Sequence, residues 1–158
     1  MTSAPPSEAT ERVLCRQITR RMQDWKTSFE AKDVDAMMSF YADGDAFSAF
    51  DLMPPIEFRG GDMWRRNWVR FFAAFEGPLR MEFSGLEVIA SPGLSIARLM
   101  VRLVGRMDGR PFDAWVRTTN CFRPVDGEWL MVHDHVSMPL DFGTGRTLMN
   151  LSPTKPFG

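Results

Sequence analysis

The chain has 158 residues, 44% of them hydrophobic and 25% charged, with a formal net charge of -1. This length suits one domain with a core and a modest pocket, and the balanced charge gives no electrostatic case for binding nucleic acid or an anionic membrane. No apolar run approaches the roughly 20 residues of a membrane-spanning helix, and residues 1–10 lack the basic flank and apolar segment of a secretory signal.

The first half of the chain is predicted to be mainly helical. Residues 1–9 are rich in Pro, Ser and Thr, which is typical of a disordered lead-in. From Thr10 onward, apolar residues recur every three or four positions, as on one face of a long amphipathic helix. These residues are Leu14, Ile18, Met22, Trp25 and Phe29.

Two shorter helices and one strand are expected next. Asp33 can cap a second helix, which the following DGD sequence ends, and AFSAF then reads as a strand. Asp62 is expected to cap a third helix with a broad aromatic face, and Gly77 with Pro78 is expected to end it.

The second half of the chain is predicted to form four long strands, at 79–90, 94–107, 112–124 and 129–138. The SPG, DG and VDGE sequences between them are typical of hairpin connections, so neighbouring strands should be antiparallel. Gly85 indicates a bulge in the first of these strands. Helices packed on such a sheet make an α+β domain, which we assign to residues 10–139. Residues 140–158 are expected to form an extended tail along the surface or over a partner subunit.

Three segments of the sequence resemble a known family. They read EAKDVDAMMSFYADGD, FRGGDMWRRNW and VRTTNCFRPVDGEWLMVHDHVSMP. They are similar to SnoaL-like members of the nuclear transport factor 2-like (ketosteroid isomerase-like) superfamily, over roughly residues 10–152. Ketosteroid isomerases, polyketide cyclases, scytalone dehydratases and the association domain of calcium/calmodulin-dependent protein kinase II share this fold. The resemblance implies a cystatin-like cone, in which a curved antiparallel sheet wraps the long N-terminal helix and encloses a pocket. It also implies a homodimer formed through the outer sheet face.

The only two histidines lie one residue apart on the predicted last strand. Period two along that strand puts His133 and His135 on one face with Trp129 and Met131, and puts Asp134 on the other. Two imidazoles need a third ligand to hold zinc or iron, and the sequence nominates none. We therefore predict no metal site and place the histidines on the outer sheet face.

Asp134 is the main candidate catalytic residue. A carboxylate on an otherwise apolar strand face is costly unless it is protonated or paired. In an aromatic pocket its pKa would rise, and it could act as a general acid or base. Paired with an arginine, it would instead stay ionised and fix that arginine. Arg98 and Arg102 are the available partners, and Arg102, which matches a pocket arginine of the kinase association domain, is the second candidate catalytic residue.

The other pocket candidates are Trp25, Tyr41, Trp64, Trp68, Phe72, Arg98, Asn120 and Val136. Asn120 and Val136 occupy the places of two further pocket arginines of the kinase association domain. The aromatic residues fit either the core or the wall of a pocket. An apolar, aromatic cavity with few polar groups suits a small, flat apolar or aromatic molecule.

The resemblance to ketosteroid isomerases does not extend to their catalytic triad. The tyrosine of that triad falls on Trp25, the base near Ala49, and the second aspartate near Thr119 or Asn120. None of these is the required group, although Trp25 can donate its indole N–H and Asp51 lies two residues beyond Ala49.

Two functions stay open at this point. One is an isomerase, cyclase or dehydratase that uses Asp134 for acid–base chemistry, and the other is a binding or dimerisation module without catalysis. The sequence has no nucleotide-binding loop and no nucleophile beside a base, so we expect no cofactor. Cys15 and Cys121 form no CxxC motif, which favours reduced thiols and a cytoplasmic protein.

Overall fold

The computed structural model describes residues 6–153. Its helices are α1 (Glu8–Glu30), α2 (Val34–Met38) and α3 (Gly61–Ala73), with a single 3₁₀ turn at Gly44–Ala46. Its strands are β1 (Ser48–Phe50), β2 (Phe58–Arg59), β3 (Phe75–Ser91), β4 (Leu94–Met107), β5 (Arg110–Val125), β6 (Glu128–Ser137), β7 (Leu140–Asp141) and β8 (Arg146–Thr147).

Helix α1 is the long amphipathic helix that the apolar spacing predicts. Its buried residues Ile18, Met22, Trp25 and Phe29 face the sheet and α3. The helix begins at Glu8 because the Ser7 hydroxyl accepts a hydrogen bond from the backbone N–H of the first turn. The predicted lead-in of residues 1–9 is therefore too long by two residues at its C-terminal end, and residues 1–5 lie outside the described range.

The two shorter helices begin differently. The Asp33 carboxylate caps α2 by accepting from the Ala36 N–H at 2.9 Å, as predicted. The prediction that Asp62 caps α3 is wrong: Gly60 is the N-cap, with a φ of 81°, and Asp62 lies inside the first turn. The prediction that Gly77 and Pro78 end this helix is also wrong. The helix ends at Ala73, and the Gly-Pro pair lies at an irregularity near the start of β3.

Six strands form one sheet in the order β2-β1-β6-β5-β4-β3. The four long strands are antiparallel neighbours, whereas β1 runs parallel to β6 and pairs Ala49 with Asp134. The sheet curves around α1, which confirms the α+β cone. Gly85, with a φ of 64°, lies at a register shift between β3 and β4, so the predicted bulge is also confirmed.

A second bulge, in β6, corrects the predicted faces of this strand. The β5–β6 register changes between the Cys121–His133 pair and the Phe122–Met131 pair, and this change leaves one extra residue on β6. Side chains on the two sides of the bulge therefore change face. Trp129 and Met131 are buried in the core rather than sharing the outer face with His133.

The C-terminal segment is not simply extended. Strands β7 and β8 form a small separate hairpin within residues 140–147. The Leu148 N–H returns to donate to the Pro139 carbonyl at 2.9 Å, which closes this segment on its own base. Residues 154–158 of the predicted tail lie outside the described range. Among the described helices, none is both long enough and apolar enough to cross a membrane.

Candidate functional site

A cavity lies between the concave face of the sheet, α1 and α3. Its volume is about 70 Å³, which is room for about five water molecules and about half of the ~150 Å³ cavity that binds benzene. The lining residues are Met22, Trp25, Phe29, Asp51, Leu52, Trp68, Phe71, Met81, Val101, Leu103, Val116, Thr118, Asn120, Asp134 and Val136. Most of the wall is aromatic or aliphatic, so the few polar groups decide what chemistry the site can do.

Asp134 is buried in this wall, with 3% of its surface exposed. It projects from the middle of the sheet because β6 is flanked there by Ala49 of β1 and Asn120 of β5. The Asn120 side-chain N–H donates to Asp134 Oδ1 at 2.9 Å. Burial, followed by the charge of Asp51, raises the pKa of Asp134 to about 7, against the opposing effects of Asn120 and Tyr41. The carboxyl is therefore divided between its acid and base forms near neutral pH.

Asp51 is a second carboxylate in the same cavity. It follows β1, two residues after Ala49, so it lies on the same side of the sheet as Asp134. Asn67 of α3 donates to Asp51 Oδ2 at 2.8 Å, and the Leu52 backbone N–H donates to Oδ1 at 2.8 Å. Burial raises the pKa of Asp51, and these two donors oppose the rise.

The sequence had nominated Asp51 only as a neighbour of Ala49 and had missed Asn67 altogether. Asn67 is 7% exposed and lies on the buried face of α3 between Trp64 and Trp68. A polar residue on an otherwise aromatic helical stripe was the available signal, because such a side chain needs a buried partner.

Tyr41 connects the aromatic core to Asp134. The Trp25 indole N–H donates to the Tyr41 oxygen at 2.8 Å, so the predicted donor role of Trp25 is directed at this phenol. Burial and the nearby Asp134 charge raise the pKa of Tyr41, while the surrounding indoles lower it. The phenol therefore stays protonated at neutral pH and favours the ionised form of Asp134.

Two oxygen atoms of the cavity wall have no partner among residues 6–153. They are Asn120 Oδ1 and Thr118 Oγ1, both fully buried. A buried polar atom without a hydrogen bond costs about 1–3 kcal/mol. A hydrogen-bond donor that enters the cavity, from a water molecule or a ligand, would satisfy these oxygens.

The prediction that Arg98 and Arg102 belong to the pocket is wrong. Residues of β4 alternate between the two faces of the sheet, and both arginines lie on the outer one, opposite to Leu99 and Val101. Arg102 forms a two-point ion pair with Asp113, both bonds at 2.8 Å, and Arg98 pairs with Glu87. Neither arginine lines the cavity, so Arg102 cannot serve Asp134 as a catalytic partner.

The aromatic candidates divide into a wall and a backing layer. Trp25 and Trp68 line the cavity, as do Asn120 and Val136. Trp64 and Phe72 do not line it. Their ring centroids lie 5.1 Å and 5.7 Å from that of Trp68, which they support from behind. Tyr41 also lies behind the lining, where it holds the Trp25 indole.

His133 and His135 lie on the outer sheet face, as predicted. His133 Nδ1 is 2.9 Å from the Ser48 hydroxyl, and Phe50 packs edge-on against both imidazoles. Burial and the neighbouring His135 lower the pKa of His133. Within residues 6–153, no three His, Cys, Asp or Glu side chains are grouped so that they could hold a metal ion.

Comparison with known proteins agrees with this architecture. The family of SnoaL-like domains matches residues 18–141. The chain belongs to the SnoaL-like domain family. No curated protein shows a significant match to it.

Several solved structures share the fold of this SnoaL-like protein. A nuclear transport factor 2-like protein of unknown function from Pseudomonas putida KT2440 is 26% identical, with 93% of this chain and 99% of that one covered and a TM-score of 0.80. A nuclear transport factor 2-like superfamily protein from Salmonella enterica serovar Typhimurium LT2 is 14% identical, with coverage of 87% and 99% and a TM-score of 0.74. A ketosteroid isomerase-like protein from Erwinia carotovora atroseptica SCRI1043 is 17% identical, with coverage of 78% and 94% and a TM-score of 0.65.

Proposed function

We propose that this SnoaL-like protein is a cofactor-independent acid–base enzyme of the isomerase, cyclase or dehydratase kind. The observation that carries the proposal is Asp134, a buried carboxylate in an apolar cavity without a cationic partner among the described residues. Its pKa of about 7 is suited to proton transfer at neutral pH, because a general base works best when its pKa is near the working pH. An arginine-paired aspartate would have favoured a purely binding role.

The geometry assigns different roles to the polar groups. The base form of Asp134 would remove a proton from a carbon next to a substrate carbonyl, and the resulting acid form would return that proton to another atom. Asn120, which donates to Asp134 Oδ1, orients the carboxylate. The Thr118 hydroxyl, which has no partner among residues 6–153, can donate to the oxygen on which negative charge develops.

A direct test is deuterium exchange in a panel of small ketones, beginning with acetone and butanone, followed by proton NMR in D₂O. We expect the wild-type protein to accelerate exchange next to the carbonyl and Asp134→Asn to abolish the acceleration. Arg102→Gln, on the outer sheet face, is the matched control and should leave the rate unchanged. Equal exchange by wild type and Asp134→Asn would refute the proposal.

The small volume of the cavity favours a second candidate, a non-catalytic module that binds a small apolar or aromatic molecule or serves in dimerisation. In that case a ligand binds but is recovered unaltered, and Asp134→Asn has no effect on any turnover.

Homodimerisation through the outer sheet face is compatible with both functions. Light scattering tests this dimer. We expect the wild type to be a dimer and Met100→Glu, which places a charge on that face, to be a monomer.

A further inference from the structure

The polar groups of the cavity contain more hydrogen-bond acceptors than donors. Asp51 and Asp134 contribute carboxylates, and Asn120 contributes a carbonyl oxygen that has no partner among residues 6–153. Asn120 is 3% exposed, and its N–H already donates to Asp134, so its free oxygen remains an unsatisfied acceptor. The Thr118 oxygen, also without a partner there, can accept as well. Among the described lining residues, the Trp68 indole N–H is a buried donor without a partner. A ligand that satisfies the oxygens must itself donate hydrogen bonds.

Cationic side chains do not contribute to the described cavity lining. The bonded neighbours of the two carboxylates are neutral: the Asn67 amide and the Leu52 backbone N–H at Asp51, and the Asn120 amide and the Tyr41 phenol at Asp134. Two carboxylates sharing an apolar cavity repel each other, and a positive charge between them would remove that repulsion. The arrangement therefore favours a ligand that carries the positive charge itself.

The apolar wall favours the same charge. Trp25, Phe29, Trp68 and Phe71 all line the cavity. The faces of aromatic rings are negative, and they attract an ammonium group most strongly when water is excluded. An aromatic wall combined with carboxylates is thus suited to an organic cation.

We propose that the cavity takes a primary ammonium ion attached to a small apolar group of about four carbon atoms. The ammonium group, with three N–H donors, would bind Asp51, Asp134 and the Asn120 oxygen, and the apolar group would lie against Trp25 and Trp68. The size follows from the cavity volume of about 70 Å³. The inference rests on the proposed use of this cavity for a small molecule and adds the class of that molecule.

Isobutylamine and isobutanol are suitable probes because they have the same shape, and only isobutylamine is a cation at neutral pH. Isothermal titration calorimetry at pH 8 should give at least about tenfold tighter binding for isobutylamine. Asp51→Asn should bring the two affinities within about twofold of each other. Glu87→Gln removes one negative charge from the outer sheet face and should keep the preference, which separates a local effect from net charge.

The preference should also depend on pH. Three polar groups face Asp134: Asp51 after β1, Tyr41 after α2, and Asn120 on β5. The Cys121 thiol lies on the opposite face of β5, within range of the Asp134 charge. The pKa values of Tyr41 and Cys121 are raised, so both stay neutral between pH 6 and pH 8. Protonation of Asp134 below pH 7 should therefore weaken isobutylamine binding severalfold at pH 6, while isobutanol binding stays constant.

The outcomes separate this inference from the proposed function. Binding of isobutanol as tight as that of isobutylamine would overturn the ammonium inference and leave a small-molecule cavity in place. Absence of binding by both probes would overturn the inference and weaken the proposed function as well. Retention of the amine preference in a folded Asp51→Asn variant, checked by circular dichroism, would also overturn it.

Discussion

Replacement of Asp134 by asparagine should stabilise the protein at neutral and alkaline pH. Burial raises the pKa of Asp134 from its ordinary 3.8 to about 7. Between these values the folded protein binds a proton that the unfolded chain has released, so the free energy of unfolding falls as the pH rises. A difference of about three pH units at about 1.36 kcal/mol each makes this loss on the order of 4 kcal/mol. Asparagine has no charge to desolvate and keeps the Asn120 N–H bonded, so the variant should escape the loss.

Urea denaturation of both proteins between pH 4.5 and pH 8 measures this effect. Over that range the free energy of unfolding of the wild type should fall by on the order of 3 kcal/mol relative to that of Asp134→Asn. About 2.5 pH units of the range lie below the Asp134 pKa of about 7, where this free energy depends on pH. Asp113→Asn is the matched control. The pKa of Asp113 is lowered by Arg102 from 3.8, so its contribution is lost only in more acidic solution and the slope should stay that of the wild type. If the free energies of unfolding of wild type and Asp134→Asn changed in parallel with pH, the assignment of Asp134 as a buried carboxyl with a raised pKa would be refuted.

Three further changes test other parts of the site. Asn120→Ala removes the donor to Asp134 and should raise the pKa of that carboxyl above about 7; a carbon-13 NMR titration showing an unchanged or lower pKa would contradict this. Tyr41→Phe leaves the Trp25 indole N–H unpaired and should lower the free energy of unfolding by about 1–3 kcal/mol, whereas unchanged stability in urea would mean that the bond contributes nothing. Trp68→Ala should lower the same free energy by about 3–5 kcal/mol through loss of a buried ring, and a loss under about 1 kcal/mol would show that the cavity wall collapses to fill the space.

The site illustrates why stability and function are opposed in this cavity. Asp51 and Asp134 would each be more stable in water or beside an arginine, yet neither has a cationic partner in the cavity. We expect removal of the Asp134 charge to stabilise the fold and, under the proposed function, to abolish proton transfer. Strained polar groups of this kind are expected at functional sites.

Local patterns determined much of the fold. Spacing of three and four residues specified α1, and alternation with turn sequences specified β4 with its bounds at Leu94 and Met107. The Asp33 cap and the Gly85 bulge also depend on neighbours close in sequence. For that reason they were predictable. The N-cap of α3 was not, because Gly60 caps by its backbone conformation and supplies no side chain that a sequence would reveal.

The candidate site depended more on long-range structure. Asp134 was identified from sequence because a single carboxylate on an apolar strand face needs explanation wherever that face lies. The residue that pairs with Asp134 across the sheet was not identified from sequence. Simple hairpin parity across the turn after Val125 would pair Asp134 with Thr119, and the bulge in β6 pairs it with Asn120 instead.

The sequence by itself determined the three helices, the long strands, the family-like cone and the presence of one unusual carboxylate, but not the ends of α3 or the short strands β2, β7 and β8. Only the tertiary structure decided which groups meet that carboxylate. The arginines of β4 turned outward because the apolar residues alternating with them fill the core, and the parallel pairing of β1 with β6 brought Asp51 into the cavity. Both outcomes depend on strand register across the whole sheet, and register is set by the sum of many contacts between distant residues rather than by any one local segment.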